Sequence, residues 1–366
     1  METYRPSVGT SVQELETPCL LVDLDALESN FELVAQTYAG TVCKMRQHGK
    51  NIKSPVVALK QIRAGGTMGG VCSAKVSEAE VMVEGGVEDI LITNQIVTRD
   101  KIARACALAK QADVKVAVDD ARNVHDLSSM ATELGATLGI VIEVDTSMGR
   151  GGVRSPAAGV ELARLTTDLP GLVFKGVMSH QTLQGGSGDR ANREAIGRKF
   201  IQICLDVRNA IEDAGIPVEI VSSGESFTYD IAPEMEGVTE VQGGTYALMA
   251  HGHAMSGDFQ VAGKILASVV SASRPGIAVG DVGYRALTSP TRLPALEGLP
   301  GVRVDSLQED HVVLRSDGDM PLSPGDRFVL LPAVQDTMVN RWDQFVAVRN
   351  DVVEAVWDIS ARGCVH

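Results

Sequence analysis

The sequence predicts an α/β protein, a TIM-type (β/α)8 barrel followed by a C-terminal antiparallel β domain. Short β-branched runs alternate with helical stretches from about residue 40 to 250, and eight such runs can be counted. Eight parallel strands are the number that closes a TIM-type barrel. Beyond about residue 255, apolar and polar residues alternate between frequent turns. The barrel is therefore expected over residues 20–255, and the β domain over residues 1–19 and 256–366.

The elements of the barrel follow from the order of these runs. The candidate strands cover residues 41–47, 68–74, 89–95, 114–120, 139–145, 172–180, 218–224 and 238–249. Between them, residues 75–86 end in two glycines suited to a helix C-cap, and the apolar residues of 196–211 recur at helical spacing. An earlier strand over residues 19–24 leads into a helix. It lies outside the count of eight and is a candidate to join the β domain.

The β domain is predicted from four segments with the alternation of antiparallel strands. They cover residues 264–273, 311–319, 327–333 and 344–360. The dipeptides Gly280-Asp281 and Gly325-Asp326 mark turns between strands.

Composition excludes several classes of partner. The chain has 33 Lys+Arg against 47 Asp+Glu, a formal net charge of −14, which repels nucleic acid and anionic lipid. No apolar run is long enough to cross a bilayer, and the amino terminus lacks the pattern of a signal peptide. The six cysteines are scattered without a CxxC pair, which is typical of reduced core thiols. We expect a soluble cytoplasmic protein with no nucleic-acid or membrane partner.

Candidate functional residues follow the predicted barrel strands. In TIM barrels, chemistry is located at the carboxyl ends of the strands. His48 and Lys50 come after the first strand, Gln95 after the third, Arg150 after the fifth and His180 after the sixth. These side chains are expected at the mouth of the barrel.

Two glycine-rich turns follow the seventh and eighth strands, where TIM barrels often hold a phosphate. Such turns offer close backbone approach and several N–H donors. Their candidate residues are Ser223, Gly224, Ser226, Gly243, Gly244 and Tyr246. A lysine across the mouth from a phosphate site suggests pyridoxal phosphate, whose aldehyde reacts with a lysine amine. The alternative for Lys50 is an ordinary solvated loop lysine, and these observations leave both open.

Five stretches of the chain carry motifs that occur together in one known family. They are TPCLLVDLDALESNFELVA, HGKNIKSP, GGVCSAKVSEAEVMVEGGVEDILITNQIV, EVDTSMGRGGVR and SRPGIAVGDVGYRAL. In this order they resemble the D-threonine aldolase and D-serine dehydratase family. The resemblance implies a barrel of the alanine racemase N-terminal type, fold type III of the pyridoxal phosphate enzymes.

The resemblance also implies roles for individual residues. Lys50, in the His-x-Lys element, matches the Schiff-base lysine, and Arg150 in MGRGG matches the arginine that approaches the cofactor ring. The phosphate cradle is matched by the turn from Ser223 to Ser226 and by Gly243, Gly244 and Tyr246. Members of the family are typically homodimers.

The activity implied is that of a lyase acting on a D-β-hydroxy-α-amino acid. A retro-aldol cleavage to glycine and an aldehyde is the main expectation. A dehydratase (ammonia-lyase) is the second, and a metal-independent amino acid racemase the third. A protein that binds pyridoxal phosphate without catalysis is disfavoured, because the single-barrel relatives of that kind lack a β domain.

The sequence departs from the family at the element that binds a divalent metal (Mn, Mg or Zn). The family has His where this chain has Val334, and of the expected ligands only Asp336 remains. A single carboxylate is a poor transition-metal site, so a metal cofactor is in doubt. The family's loop also has a second histidine before its second lysine, where this chain has Asn51 and Ile52.

Other histidines are candidates for the missing functions. His180 and His311 are the candidate acid/base residues. His251 and His253 lie two residues apart, so that both could face one side of an extended segment and bind a metal.

Overall fold

The computed structural model describes residues 4–181, 190–251, 257–288 and 292–366. The chain divides into two compact units. The barrel unit consists of Glu32–Lys50, Pro55–Gly244 and Cys364–His366. The sheet unit consists of Met1–Phe31, Asn51–Ser54 and Thr245–Gly363. None of the helices in the described ranges is both long and apolar enough to cross a membrane.

Eight parallel strands close the barrel. The first strand of the chain, β1 (Cys19–Asp23), belongs to the sheet unit. The barrel strands are β2 (Lys44–His48), β3 (Thr67–Ser73), β4 (Asp89–Ile92), β5 (Asp113–Val118), β6 (Leu138–Glu143), β7 (Leu172–Ser179), β8 (Ile220–Ser223) and β9 (Glu240–Val241). Each pairs with the next, and β9 pairs with β2. Each overlaps one of the eight predicted runs, so the predicted (β/α)8 barrel is confirmed.

Of the described helices, one leads from β1 into the barrel, and six more connect barrel strands, as the helical spacing predicts. They are α1 (Leu24–Thr37), α2 (Pro55–Ala64), α3 (Val76–Glu84), α4 (Arg99–Leu108), α5 (Ala121–Leu134), α6 (Pro156–Asp168) and α7 (Arg190–Asp213). Local sequence sets their ends. The Asp120 carboxylate caps α5 by accepting from the backbone N–H groups of Arg122 and Asn123, and Gly135 ends it with φ 60°.

The last predicted strand is shorter than its run of β-forming residues. Of residues 238–249 only Glu240–Val241 pair as β9, and Thr245–Leu248 form a short helix, α8. The reason lies in Gly243 and Gly244, which have no side chains to pack in a sheet and end the strand.

The interior of the barrel has an apolar layer and an ionic network. The apolar layer is formed by Cys72, Leu91, Ala117, Val141 and Met178, one residue from each of β3 to β7, all fully buried. The ionic network lies at the amino ends of β4 and β9, where these strands begin with Asp89 and Glu240.

Arg46 is the centre of this network. Its side chain is 1% exposed, and its Nε and Nη2 each lie 2.8 Å from an oxygen of Glu240. Its Nη1 donates to Asp89 Oδ1 at 2.6 Å, and the same oxygen accepts from Lys115 Nζ at 2.9 Å. Burial disfavours the guanidinium charge, but Glu240 and Asp89 outweigh burial and raise the pKa of Arg46.

These ion pairs reinforce the seam of the barrel, by which we mean the junction where the short strand β9 pairs with β2 and closes the barrel. In the registers of β9, Glu240 is paired with Lys44 and Ser222, and Val241 is paired with Met45. So few backbone hydrogen bonds contribute little to the pairing of β9 with either β2 or β8. The two hydrogen bonds between Arg46 of β2 and Glu240 of β9 add a side-chain link at the same place.

The sheet unit contains a nine-stranded sheet in which all pairs but one are antiparallel. Besides β1 its strands are β10 (Gly263–Arg274), β11 (Ile277–Gly280), β12 (Ala295–Leu296), β13 (Val302–Leu307), β14 (Val312–Ser316), β15 (Arg327–Leu331), β16 (Gln344–Arg349) and β17 (Val352–Asp358). The early strand β1 lies between β10, antiparallel to it, and β16, parallel to it. The predicted C-terminal antiparallel β domain is confirmed. Three short helices of the described residues belong to this unit: α8, α9 (Tyr284–Leu287) and α10 (Asp336–Val339).

A small apolar core lies on the sheet around β1. It includes Val12 and Leu15 from the amino-terminal segment and residues of four strands: Cys19, Leu21, Leu266, Val346 and Val353. The amino-terminal segment therefore contributes side chains to the packing of the sheet unit.

We predict that Glu240→Gln destabilises the protein by about 3–5 kcal/mol, because it leaves the buried Arg46 with an incomplete set of carboxylates. Urea denaturation followed by circular dichroism measures the change in the free energy of unfolding. The control is Glu133→Gln, which breaks the exposed pair Arg99–Glu133 and should cost less than about 1 kcal/mol. Equal effects of the two substitutions would show that the buried pair has no special role.

Candidate active site

Lys50 lies immediately after the carboxyl end of β2, in a single 3-10 turn (Gly49–Asn51). The His48 backbone N–H donates to the Gly243 carbonyl at 2.7 Å, which brings the lysine turn next to the glycine turn after β9. Gly49 is closely packed, since a Cβ there would lie 3.0 Å from the Cys72 carbonyl oxygen and 3.2 Å from Met82 Cε.

The buried ring of His48 supports this turn. Its Nδ1 accepts from the Lys50 backbone N–H at 3.4 Å, so the ring proton resides on Nε2. Nε2 in turn lies 3.3 Å from Thr93 Oγ1, just beyond β4. His48 therefore connects the lysine turn to the neighbouring strand ends.

The Lys50 amine has no bonded partner among the residues that the structure describes. Among the described ranges, no carboxylate pairs with Lys50 Nζ and no acceptor hydrogen-bonds to it, although the side chain is half-buried. A lysine amine at a barrel mouth without a carboxylate partner is available to react with a carbonyl group.

His180 follows β7 and lies near two cations. Burial lowers the pKa of His180, and the positive charges of Lys50 and Arg150 lower it further, to about 4. The imidazole is therefore neutral at neutral pH and able to accept a proton. The structure thus brings together three predicted site residues: Lys50, Arg150 and His180.

Glu143, the last residue of β6, lies between Gln95 and Arg150. Its Oε2 accepts from Gln95 Nε2 at 2.5 Å, and its Oε1 lies 3.7 Å from Arg150 Nη2. Burial raises the pKa of Glu143, opposed by the Gln95 hydrogen bond and the Arg150 charge. Glu143 thus links a further predicted mouth residue, Gln95, to Arg150.

The MGRGG turn that carries Arg150 is held by two aspartates. Asp145 Oδ1 accepts from the Gly149 N–H at 2.9 Å, and Asp119 Oδ2 accepts from the Gly152 N–H at 2.7 Å. Gly152 has φ 101°, and a Cβ there would lie 2.5 Å from the Asp145 nitrogen, so glycine is required.

The glycine turn after β8 is organised by Thr228. Thr228 Oγ1 accepts from the Glu225 N–H at 2.9 Å and from Gln181 Nε2 at 3.3 Å. Gly224 has φ +117°, and a Cβ there would lie 3.0 Å from Thr228 Oγ1. Ser226 Oγ accepts from the Gly244 N–H at 3.2 Å, which connects this turn to the one after β9. The Ser226 hydroxyl and the close backbone approach allowed by the glycines are the features that fit a phosphate group.

Ser223 has partners of its own on the outside of the barrel. Its Oγ lies 2.8 Å from Ser179 Oγ, and both hydroxyls hydrogen-bond with the Cys204 thiol of α7. Burial raises the pKa of Cys204 to about 12, against the effect of these hydrogen bonds. A cofactor-binding role for Ser223 stays a prediction.

Tyr246, His311 and Asp336 belong to the sheet unit. The Tyr246 ring is buried, with its centroid 5.5 Å from that of Phe259 and 6.4 Å from that of Phe31. His311 is exposed and immediately precedes β14. Their predicted functional roles stay predictions.

The donor set around Asp336 does not fit a metal. Asp336 Oδ1 accepts from the backbone N–H of Thr337 at 2.8 Å, at the start of α10, and Val334 offers no ligand atom. Within the described part of the chain, no three His, Cys, Asp or Glu side chains are grouped so as to hold a metal ion. His251 is exposed, and His253 lies outside the described residues.

Sequence reasoning missed Glu143, Asp119 and Thr228. A signal for Glu143 was present, since it is a charged residue at the end of the otherwise apolar run GIVIEV. Asp119 follows VKVAV in the same way. Thr228 has no such signal, because its role depends on the fold of the turn around it.

Comparison with known proteins identifies relatives over nearly the whole chain. Residues 22–251 match the family model of the alanine racemase N-terminal domain, and residues 262–348 match that of a serine dehydratase domain. The chain is 36% identical to 3-hydroxy-D-aspartate aldolase of Paracoccus denitrificans (strain Pd 1222), over 97% of this chain and 94% of that protein. It is 30% identical to D-threonine aldolase of Arthrobacter sp, over 97% and 95%.

A solved structure agrees with these matches. The crystal structure of D-threonine aldolase from Filomicrobium marinum superposes with a TM-score of 0.94 at 31% identity, over 99% of this chain and all of that one. The family resemblance found in the sequence is confirmed.

We predict that the cofactor-free protein loses stability as the pH falls from about 6.5 to about 4. In that window the unfolded chain protonates His180 while the folded state keeps it neutral, so up to about 3 kcal/mol present above pH 6.5 is lost. Urea unfolding at pH 4.5 and pH 7 measures this loss as a difference in the free energy of unfolding. His180→Asn should shrink the difference, whereas His125→Asn, at an exposed position, should leave it unchanged. A pH dependence that is the same in both variants would contradict the assignment.

Proposed function

Because the chain belongs to the alanine racemase N-terminal domain family, whose members use pyridoxal phosphate, we propose that it is a pyridoxal phosphate-dependent lyase. The substrate is a D-configured β-hydroxy-α-amino acid, cleaved by a retro-aldol reaction into glycine and an aldehyde. One observation carries the proposal: beside the neutral His180, in the turn that adjoins the Gly243 turn, the Lys50 amine has no bonded partner in the described part of the chain.

The residues at the barrel mouth fit this cofactor. Lys50 would hold its aldehyde carbon, Arg150 would approach its ring, and the turns of Gly224, Ser226 and Gly244 would hold its phosphate. When bound, pyridoxal phosphate withdraws electrons from the α-carbon of the amino acid, which allows a bond at that carbon to break. Gln95, Ser223, Gly243 and Tyr246 complete the proposed cofactor site.

His180 supplies the base in this proposal. Retro-aldol cleavage requires removal of the proton on the β-hydroxyl oxygen while the Cα–Cβ bond breaks. A neutral imidazole beside Lys50 can accept that proton at neutral pH, since its pKa lies near 4. His311 is a second candidate acid/base residue.

A dehydratase is the second candidate, because residues 262–348 match a serine dehydratase domain. In that reaction Lys50 would take the proton from the α-carbon and the β-hydroxyl would leave, giving a 2-oxo acid and ammonia. A metal-independent racemase is supported only by Val334, which replaces the family's metal-binding histidine. The relatives with at least 30% identity are aldolases, which favours the aldolase reaction.

We propose that the reaction proceeds without a divalent metal. Two observations support this: among the described residues no fitting donor set surrounds Asp336, and Val334 replaces the family's metal-binding histidine. No step of the proposed reaction requires a metal ligand from Asp336.

We further propose a cytoplasmic homodimer. All six cysteines are free thiols, as expected in a reducing compartment. The dimer is implied by the resemblance to the D-threonine aldolase and D-serine dehydratase family.

We predict that the purified protein, incubated with pyridoxal phosphate, gains a visible absorbance band that Lys50→Ala lacks, because Lys50 is the amine that holds the cofactor. The control Lys110→Ala, at an exposed position in the barrel unit, should keep the band. A panel of D-β-hydroxy amino acids, assayed for aldehyde, 2-oxo acid and enantiomer, then separates aldolase, dehydratase and racemase. A band that survives in Lys50→Ala would refute the cofactor assignment.

We predict that exhaustive chelation leaves aldehyde release unchanged within about twofold, because no metal polarises the substrate hydroxyl. Val334→His restores an imidazole two residues before Asp336 and should allow measurable Mn²⁺ binding by calorimetry, which the parent protein should lack. Loss of activity with chelator and its return with Mn²⁺ would overturn metal independence.

A further inference from the structure

Glu143 is a buried carboxylate that the proposed reaction does not use. Only 4% of its surface is exposed, and its two oxygens face different partners, Gln95 at 2.5 Å and Arg150 at 3.7 Å. A buried carboxylate requires such partners, because burial alone disfavours its charge. Its position at the end of β6 places it in the mouth rather than in the ionic network below.

Glu143 is the carboxylate that fixes the position of the Arg150 guanidinium by charge attraction. Its side chain is 53% exposed, and within the described ranges Glu143 is the only carboxylate that pairs with it. The turn around Arg150 is fixed through its backbone by Asp119 and Asp145, which leaves the guanidinium itself to be placed by Glu143.

The Gly151 backbone packs closely against the Glu143 carboxylate. A Cβ on Gly151 would lie 3.2 Å from Asp119 Oδ2, 3.3 Å from Glu143 Oε2 and 3.4 Å from Gln95 Nε2. Glu143 is therefore confined between the Gly151 backbone and Gln95, and its free oxygen Oε1 is the one directed to Arg150. A carboxylate fixed in this way can position a mobile guanidinium.

We propose that Glu143 is a positioning residue that holds the Arg150 guanidinium at the barrel mouth and thereby tightens the binding of pyridoxal phosphate. The proposal rests on the proposed function for the identity of the cofactor. Glu143 acts through Arg150 and is assigned no contact with substrate or cofactor. Neutralising Glu143 should therefore have no further effect once Arg150 is gone.

The test is a double-substitution cycle read by cofactor binding. Apo protein is titrated with pyridoxal phosphate, following the visible band, for the wild type, Glu143→Gln, Arg150→Met and the double variant. We expect Glu143→Gln to weaken binding roughly 10-fold, as for loss of one partner of a partly buried ion pair. The double variant should bind no more weakly than Arg150→Met alone.

Matched variants separate positioning from folding. Glu133→Gln, which breaks an exposed pair on the barrel, should leave the titration unchanged. Glu143→Asp keeps the charge and should recover part of the lost affinity, and it replaces Glu143→Gln in the cycle if that variant does not fold. Losses that add in the double variant, or an affinity unchanged by Glu143→Gln, would overturn the positioning role.

The two proposals fail in different ways. If the wild type gains no Lys50-dependent band, the proposed cofactor is wrong, and the role of Glu143 falls with it. If the band forms normally and only the cycle fails, the proposed function stands and Glu143 has no positioning role.

Discussion

The buried contact between Arg46 and Glu240 is the constraint on which the barrel unit depends. A parallel barrel requires its last strand to meet its first, and here the last strand has only two residues, Glu240 and Val241. Backbone pairing over such a length contributes little, so side chains must hold the seam. The guanidinium does so by bonding to both oxygens of Glu240 and to Asp89, joining three strands through one buried charge centre.

The position of the proposed site follows from that closure. Two residues beyond Arg46, the backbone of His48 bonds to Gly243, the second residue after β9. The closure of the barrel between β2 and β9 thus places the turn that carries Lys50 next to the turn that carries Gly243. His180 arrives from β7 and Arg150 from the turn after β6, so that one amine, one guanidinium and one neutral imidazole are concentrated at the same rim. The mouth of the barrel holds two cations, Lys50 and Arg150, and one buried carboxylate, Glu143. The remaining positive charge is suited to an anionic cofactor.

Much of the fold was predictable, because the signals are local. β-Branched runs such as those of β5 and β6 form strands wherever they are buried on both faces, and counting them distinguishes a closed barrel from an open sheet. Lys50, Arg150 and His180 were predictable for the same reason, since the barrel rule converts position after a strand into position in space. The brevity of β9 was not predictable, because the run 238–249 has strand-like composition on both sides of its glycines. The partners of Glu143 and Ser223 were also hidden, because each depends on contacts between residues far apart in the chain, Gln95 in one case and Cys204 in the other.

The ionic network and the rim that carries the proposed site lie at opposite ends of the strands. Asp89 and Glu240 begin their strands, whereas Glu143 ends one and Lys50, Arg150 and His180 follow others. Residues at the rim can therefore be exchanged without weakening the closure of the barrel. Such a separation lets one scaffold exchange the residues of its rim and adopt a new substrate while the ion pairs that close the barrel are kept, and it makes the rim of this chain a suitable starting point for directed change.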